Sequence, residues 1–352
     1  MPDNASLLLL DRDQAAALLQ PDDVLAAVRE AFVLHAGGAG RIFPLVREAL
    51  LAGVFGIKSG GVPQQELLGM KAAGFWPGNR AHGADAHQAT ITLFDPATGR
   101  PQCLIDGNAV TTTRTAAAGA LGLLALARAD SATLCVFGTG VQGAAHVDYA
   151  LRVLPGLRRV LYLTSDGRRD EQFEARFAAR CDIAVTAGAS ADAAVADSDI
   201  VVTATPGRGP LFSTQAVKPG THLNCVGSDT RGKRELPHGL LGLAAVRVWA
   251  DDLTQARAIG ELQWAADTPA GEFGKLLAAQ AAQAAQAAQE AREAQEAQEA
   301  QAANAAARHG IAADAITIFD MTGIALQDLT VARMLYQRAL ANGTGTSIAW
   351  PW

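Results

Sequence analysis

The sequence predicts an α/β protein built on a doubly wound parallel sheet, and three observations carry that expectation. The apolar run Thr133 to Phe137 ends in Gly138-x-Gly140-x-x-Gly143, and an Ala-rich helical segment follows. Beyond it, short apolar runs alternate with helical or turn segments as far as Phe319, the pattern of a parallel sheet. Ahead of it, from Gly53 to Phe94, apolar runs are separated by turns, which is antiparallel behaviour and marks a different domain.

The glycine spacing has a mechanical meaning. The first glycine allows a tight turn, the second lets the backbone approach a pyrophosphate, and the third lets helix pack on strand. The helix then points free N–H groups at the phosphates. Gly138, Thr139, Gly140, Val141, Gln142 and Gly143 are therefore candidate cofactor-binding residues. Glycines between a strand and a helix also make ordinary turns; the alternation that follows favours the nucleotide reading.

Size and composition bound the rest. A chain of 352 residues allows two domains, and 49% hydrophobic residues is ordinary for a globular enzyme. The longest apolar run, Ala116 to Ala127, lies between Arg114 and Arg128 and falls short of the ~20 residues of a membrane span. No basic lead precedes Leu7–Leu10, so no signal peptide is expected and the chain reads as cytoplasmic. Cys103, Cys135, Cys181 and Cys225 lack CxxC spacing, which implies neither a disulfide framework nor a metal site. A net charge of −6 without a basic cluster argues against nucleic-acid binding.

In chain order, a strand-like Leu run precedes a helix starting near Pro21, with Val24, Val28, Phe32 and His35 at helical spacing. Arg41 follows a Gly-rich loop and reads as a solvated charge. Lys71 sits inside the apolar run Leu67–Phe75. It is either a snorkelling edge lysine or a desolvated cation facing an anion. Thr111-Thr-Thr-Arg114 opens a long apolar helix, with the threonines as N-caps; an arginine in the first turn opposes the helix dipole unless an anion sits there.

After the glycine motif, strands are expected at 160–163, 183–186, 200–204, 222–226, 246–250 and 316–319. Such a sheet binds ligands beyond its carboxyl ends, where Gly227-Ser-Asp229 begins; Asp229 is a candidate acid or base, or a turn residue. The tip of the second strand, Thr164-Ser165-Asp166-Gly-Arg168-Arg169, decides between nicotinamide cofactors. Its hydroxyls and arginines favour NADP over NAD, while Asp166 keeps NAD open. Residues 278–307 repeat Ala-Ala-Gln and then Glu-rich triplets. A three-residue period drifts about 60° per repeat on a helix, so no apolar stripe forms; an exposed helix or a mobile insertion without a catalytic role is expected. Leu326, Leu329, Val331, Met334 and Leu335 then suggest an amphipathic helix that can return to the N-terminal domain.

Several stretches together resemble the ornithine cyclodeaminase/mu-crystallin family. They are Gly69-Met-Lys71, His87-Gln-Ala-Thr90, Asp106-Gly-Asn with Thr113-Arg114-Thr-Ala-Ala, Gly138-Thr-Gly-Val-Gln, Gly227-Ser-Asp229 with Gly232-Lys-Arg-Glu-Leu236, and Phe319-Asp with Gly323-Ile-Ala-Leu-Gln-Asp328. The match is collinear from about Arg41 to Arg338, interrupted by the Gln-rich insertion.

The resemblance implies a homodimer with a discontinuous α+β substrate-binding and dimerisation domain (1–115 and 325–352) around a Rossmann-type NAD(P) domain (116–324). It places Arg41, Lys71, Thr90 and Arg114 around a substrate carboxylate, and Asp229, with Lys71 sharing, as catalytic acid–base groups. Thr115, Thr164, Ser165, Arg168, Thr205, Val226 and Gly227 join the glycine loop as cofactor-binding positions; no metal is expected. The insertion replaces much of the late nucleotide-domain segment that in the family helps close the site, and the second-strand tip lacks the acid of the NAD-using cyclodeaminases.

The chemistry implied is hydride exchange between a nicotinamide and the α-carbon of an amino acid or its imine. A reductase of cyclic ketimines such as Δ1-pyrroline-2-carboxylate comes first, then an ornithine or lysine cyclodeaminase, then an alanine-dehydrogenase-like deaminase. A non-enzymatic binder of the mu-crystallin kind comes last.

Overall fold

The structure is a computed structural model and describes residues 5–180, 182–295 and 311–351. Cys181 and the 296–307 part of the low-complexity segment lie outside the described residues. In chain order the elements begin with β1 (Ala5–Leu10), α1 (Arg12–Leu18), α2 (Pro21–Ala36), β2 (Arg41–Ile42), β3 (Val46–Ala49), β4 (Val54–Val62), β5 (Leu67–Phe75), β6 (His87–Phe94), β7 (Pro101–Asp106) and α3 (Gly107–Leu126). Next come β8 (Thr133–Phe137), α4 (Val141–Val153), β9 (Arg159–Leu163), α5 (Glu171–Phe177), β10 (Ala184–Ala187), α6 (Ala191–Ala196), β11 (Ile200–Thr203) and β12 (His222–Cys225). They continue with β13 (Val246–Ala250), α7 (Leu253–Ile259), β14 (Ala270–Glu272), α8 (Phe273–Gln295), β15 (Ile316–Asp320), α9 (Ala325–Asn342) and β16 (Thr346–Trp350).

The chain divides into two compact units, Met1–Ala118 with Gly323–Trp352, and Gly119–Thr322. The first holds a sheet in the order β16-β1-β7-β6-β5-β4-β2, with β3 on β4. Its strands are antiparallel except for the β1–β7 pair. Helix α9 covers one face. Leu326, Leu329, Val331 and Leu335 are fully buried, each worth ~1.5–3 kcal/mol of transfer free energy. A Cβ at Gly69 would lie 2.8 Å from the Leu329 side chain, so the glycine of β5 sets how closely helix and sheet approach. The Thr330 hydroxyl donates to Ala27 O at 2.9 Å and fixes α9 on α2.

The second unit holds a parallel sheet in the order β10-β9-β8-β11-β12-β15-β13-β14. Its first five strands follow the 3-2-1-4-5 order of a dinucleotide fold, reversing direction of growth between β8 and β11, and the sixth place is taken by β15, the last strand of the unit in the chain, with β13 and β14 beyond it. Strands β8, β11, β12 and β15 are buried along their whole length; β8, β11 and β15 accordingly read as largely apolar runs, whereas β12 carries buried His222 and Asn224, which are hydrogen-bonded to each other and, through His222, to Thr317. Thr203, Cys225, Asp320 and Ala250 stand in register and form one carboxyl edge.

Two expectations change. Helix α3 starts at Gly107, not at the threonines, so Thr111–Thr113 are inside it. Instead of capping, the Thr112, Thr113 and Thr115 hydroxyls donate to the carbonyls of Asn108, Ala109 and Thr111 one turn back. Arg114 therefore lies in the second turn, and its charge is answered by a side chain rather than by an anion at the helix start. The helix is also longer than the run Ala116–Ala127. It has the length and composition of a membrane span, yet 72% of its apolar window is buried inside protein.

The described start of the Gln-rich segment continues α8 as an exposed helix, with half-buried Gln280 donating to Ala125 O at 3.3 Å. Cys103, Cys135 and Cys225 are buried free thiols whose pKa values burial pushes up, to about 12 for Cys103.

Candidate active site

Lys71 lies on β5, 4% exposed. Its register partners are Lys58 on β4 and Ile91 on β6. Partners across antiparallel strands share a face, so both lysines lie on the α9 side. The Lys71 ammonium donates to the Asp328 carboxylate at 2.8 Å. Arg114 Nε donates to the same carboxylate at 2.9 Å, and Nη1 to Gln327 Oε1 at 2.8 Å. Asp328 is fully buried.

Gly323 makes this meeting possible. Its φ of +76° is the left-handed conformation that releases the chain into α9. A Cβ there would lie 2.8 Å from Arg114 Nη1 and 3.2 Å from Lys58 Nζ. Its carbonyl accepts from Lys58 Nζ at 2.6 Å.

Burial pulls Lys71 down from 10.5 to about 7, against Asp328, which holds it up; Arg114 and Lys58 add to the fall. For Asp328, burial works to raise the carboxyl, but Arg114 and Lys71 outweigh it and hold it below the usual range. Three basic side chains, Lys71, Arg114 and Lys58, are gathered around the single carboxylate of Asp328. A site with an excess of positive charge and a guanidinium with further donors suits an added carboxylate.

Arg41 and Thr90 do not join this cluster. Arg41 is exposed and pairs with Gly61, one residue out of phase with Lys58 and Gly60. Thr90 is exposed and pairs with Ala72, one out of phase with Lys71. Successive strand side chains point to opposite faces, so both residues are directed to the face away from Lys71 and α9. Lys58, Gln327 and Asp328 were missed as site residues. The signal was present: a lysine and an arginine buried together need a carboxylate, and Asp328 closes one of the motifs quoted above.

In the second unit each motif glycine has a different reason. Gly138 has φ +96° and a Cβ there would meet Ala204 O at 2.7 Å. A Cβ on Gly143 would lie 1.8 Å from Gly138 O, so helix and strand could not pack. Gly140, the N-cap of α4, has nothing within 4 Å of its Cβ position and no side-chain cap. This cradle, with the free N–H groups of α4, fits a pyrophosphate. The Thr139 hydroxyl is bonded to Asp170, the N-cap of α5. Filling the cradle with Gly140→Leu, at an ordinary φ of −71°, is expected to weaken dinucleotide binding at least ~10-fold, the loss of about one charge-assisted hydrogen bond. Titration of protein fluorescence with NADPH measures it; an unchanged Kd would refute the cradle.

At the β9 tip, the Thr164 hydroxyl donates to Arg168 O at 2.8 Å and Arg168 N donates to Asp166 Oδ1 at 3.1 Å. Arg168 is 86% exposed and only loosely paired with Asp166, at 3.8 Å, whereas Arg169 is held by Glu174. Ser165 is exposed. At the carboxyl edge, Thr205 follows β11, and Val226 and Gly227 follow β12, both donating to Thr203 O. Asp229 is half-buried; its carboxylate accepts from Lys233 Nζ at 2.9 Å and from the Thr230 hydroxyl at 3.0 Å. Lys233 also donates to Gly227 O at 3.1 Å, which ties the Asp229 loop to its own start. Among the described residues no group of His, Cys, Asp and Glu is arranged to hold a metal ion.

Comparison with known proteins gives a consistent picture. The model of the ornithine cyclodeaminase/mu-crystallin family matches residues 9–343. The chain is 31% identical over 351 residues to iminosuccinate reductase of Paracoccus denitrificans (strain Pd 1222), covering 97% of this chain and 99% of the relative. It is 29% identical to Δ1-pyrroline-2-carboxylate reductase of Bacillus thuringiensis subsp. konkukian (strain 97-27), over 80% of this chain and 81% of the relative. Among solved structures, an archaeal alanine dehydrogenase dimer with bound NAD superposes with a TM-score of 0.83 at 27% identity, covering 98% of this chain and all of the other.

Proposed function

Because this chain belongs to the ornithine cyclodeaminase/mu-crystallin family, we propose that it is an NAD(P)H-dependent reductase of cyclic α-imino acids such as Δ1-pyrroline-2-carboxylate. The observation that carries the reading is the buried Lys71–Arg114–Asp328 cluster, in which basic side chains, with Lys58 beside them, outnumber the one carboxylate. Lys71 and Arg114 hold the substrate carboxylate, and Asp328 fixes both cations in place. Orienting the α-carbon in this way is catalysis by positioning. Asp229 handles the proton on the substrate nitrogen, a general acid–base role. A bound nicotinamide dinucleotide would supply the hydride; the glycine loop of residues 138–143 would hold its pyrophosphate, with Thr205, Val226 and Gly227 as further contacts. The Thr115 hydroxyl is engaged by Thr111 O at 2.6 Å, which leaves its lone pairs to accept.

NADPH oxidation by the purified protein with Δ1-pyrroline-2-carboxylate is the direct test. Turnover that disappears in Asp229→Ala supports the reductase. Asp229 also supports a second reading, an ornithine or lysine cyclodeaminase, which releases ammonia from the diamino acid with no net change in cofactor absorbance. Ammonia release without NADPH oxidation would replace the first reading with this one.

The β9 tip supports the phosphorylated cofactor, because Arg168 is the arginine there not committed to a close ion pair. NADPH is expected to bind more tightly than NADH, with Arg168→Ala reducing the preference by about tenfold. Equal affinities in the parent protein would overturn this.

A homodimer is part of the same reading. Val46 and Leu104, 42% and 37% exposed, lie with Thr90 on the sheet face opposite α9. An apolar face of this kind suits burial against a second copy. Sedimentation equilibrium is expected to give twice the chain mass, and Leu104→Lys half of that dimer mass.

A further inference from the structure

Three buried carboxylates of the second unit have no part in the chemistry above: Glu235, Glu261 and Asp320, which are 0%, 1% and 0% exposed. Their hydrogen-bond partners form a ladder. Asp320, at the carboxyl end of β15, accepts from Glu261 N at 3.0 Å and Leu262 N at 2.9 Å. Glu261 Oε1 accepts from Glu235 N at 2.7 Å. Glu235 Oε1 accepts from Thr205 N and from the Thr205 hydroxyl, both at 2.8 Å, and its Oε2 accepts from Gly227 N at 2.9 Å. Each acid fixes the backbone that carries the next, and the last one bridges the loops after β11 and β12.

The packing around the ladder is tight. A Cβ at Gly227 would lie 2.6 Å from both Glu235 carboxylate oxygens, and one at Gly260 would lie 2.5 Å from Asp320 Oδ2. Burial raises the pKa of all three acids, that of Glu261 to about 7, so each is costly to keep in place. Buried polar networks whose members are satisfied specify a single geometry. This one ends on Thr205 and Gly227, at the neighbouring carboxyl ends of two strands on the far side of the switch point, where this fold takes its ligand. Lys233 holds Gly227 O and Asp229, so the peptides on both sides of Gly227 are fixed.

We propose that Glu235 is a positioning residue: its two carboxylate oxygens clamp the β11 and β12 loops together and so set Thr205, Gly227 and Asp229 for the cofactor and for proton transfer. This rests on the reductase reading. Both oxygens must accept, so Glu235→Gln sets an amide N–H₂ against an N–H donor on one of the two loops.

The test compares Glu235→Gln with the parent protein by thermal unfolding, by NADPH titration and by steady-state kinetics with Δ1-pyrroline-2-carboxylate. The expected result is a folded variant in which kcat falls about ten- to a hundredfold, the worth of hydrogen bonds to a charged group. KM for the imine should change less than about threefold, because the carboxylate anchor is untouched. Thr205→Val, which removes one donor to the same oxygen, is expected to shift kcat in the same direction by a smaller factor and serves if Glu235→Gln does not fold. A lowered Tm with kcat and NADPH affinity unchanged would overturn the proposal and leave Glu235 a purely structural acid. A parent protein that binds NADPH but turns over no imine would instead count against the reductase reading; the clamp is then judged on NADPH affinity, which Glu235→Gln should weaken and which, if unchanged, overturns the clamp as well.

Discussion

Replacing Arg114 by alanine is expected to lower kcat/KM by about a hundred- to a thousandfold while the Kd for NADPH stays within a factor of about two. Truncating one partner of a buried, hydrogen-bonded charge pair has a cost of this size. Arg114 is 6% exposed and presents its guanidinium to Asp328 and Gln327, so nothing else can take over its fork. Arg114→Lys should recover part of the loss, since it restores the charge without the planar geometry. Retained kcat/KM in the alanine variant would remove Arg114 from the carboxylate anchor.

The same anchor predicts a pH profile. Lys71 in the free protein is held near 7 by burial. As pH rises through that value the cluster loses a charge, and kcat/KM should decline on the alkaline side. Lys71→Arg cannot deprotonate in this range, so its alkaline decline should be absent even if its rate is lower. A flat parent profile from pH 6 to 9 would refute the assignment.

Asp328→Asn is expected to be the most destabilising single exchange in the first unit, by about 3–5 kcal/mol, because it leaves two buried cations without a counter-charge. Urea unfolding measures the loss, and a change under about 1 kcal/mol would show the cluster to be solvated. The pH dependence has a definite sign. Lys71 has a lower pKa folded than unfolded, so the folded state binds fewer protons between about 7 and 10.5, and the Lys71 contribution to stability rises with pH across that window. Asp328 is the group that raises the Lys71 pKa. Its loss moves the lower edge of the window down, so the variant should recover stability from a more acid pH than the parent.

Periodicity and glycine chemistry made much of the second unit legible in the sequence. The strands expected at 160–163, 200–204, 222–226 and 246–250 agree with β9, β11, β12 and β13 to within one residue. For β11 this is burial on both faces, which leaves a continuous apolar run, and for β13 it is the alternation of buried Val246, Val248 and Ala250 with outward Arg247 and Trp249, in each case bounded by turns. The roles expected of the three motif glycines match the φ of Gly138, the open cradle at Gly140 and the tight contact at Gly143, since each role is a local requirement of the backbone.

The charge pairings became visible only in the fold. Whether Lys71 was a snorkelling edge residue or a desolvated cation depended on Asp328, which is 257 residues away in sequence. Arg41 and Thr90 lie near Lys71 along the sheet, but the phase of strand pairing directs them to the other face. The threonines ahead of Arg114 have the composition of an N-cap, yet α3 begins four residues earlier. Glu235 and Asp320 stand in stretches that carry the family resemblance, but that they join Glu261 in one ladder could not be read there, because most of the partners are backbone N–H groups that every residue but proline carries. Periodic elements and the backbone freedom of glycine depend on near neighbours and so could be read along the chain. Which charges meet could not, because that depends on pairing register and helix placement between segments far apart in the chain.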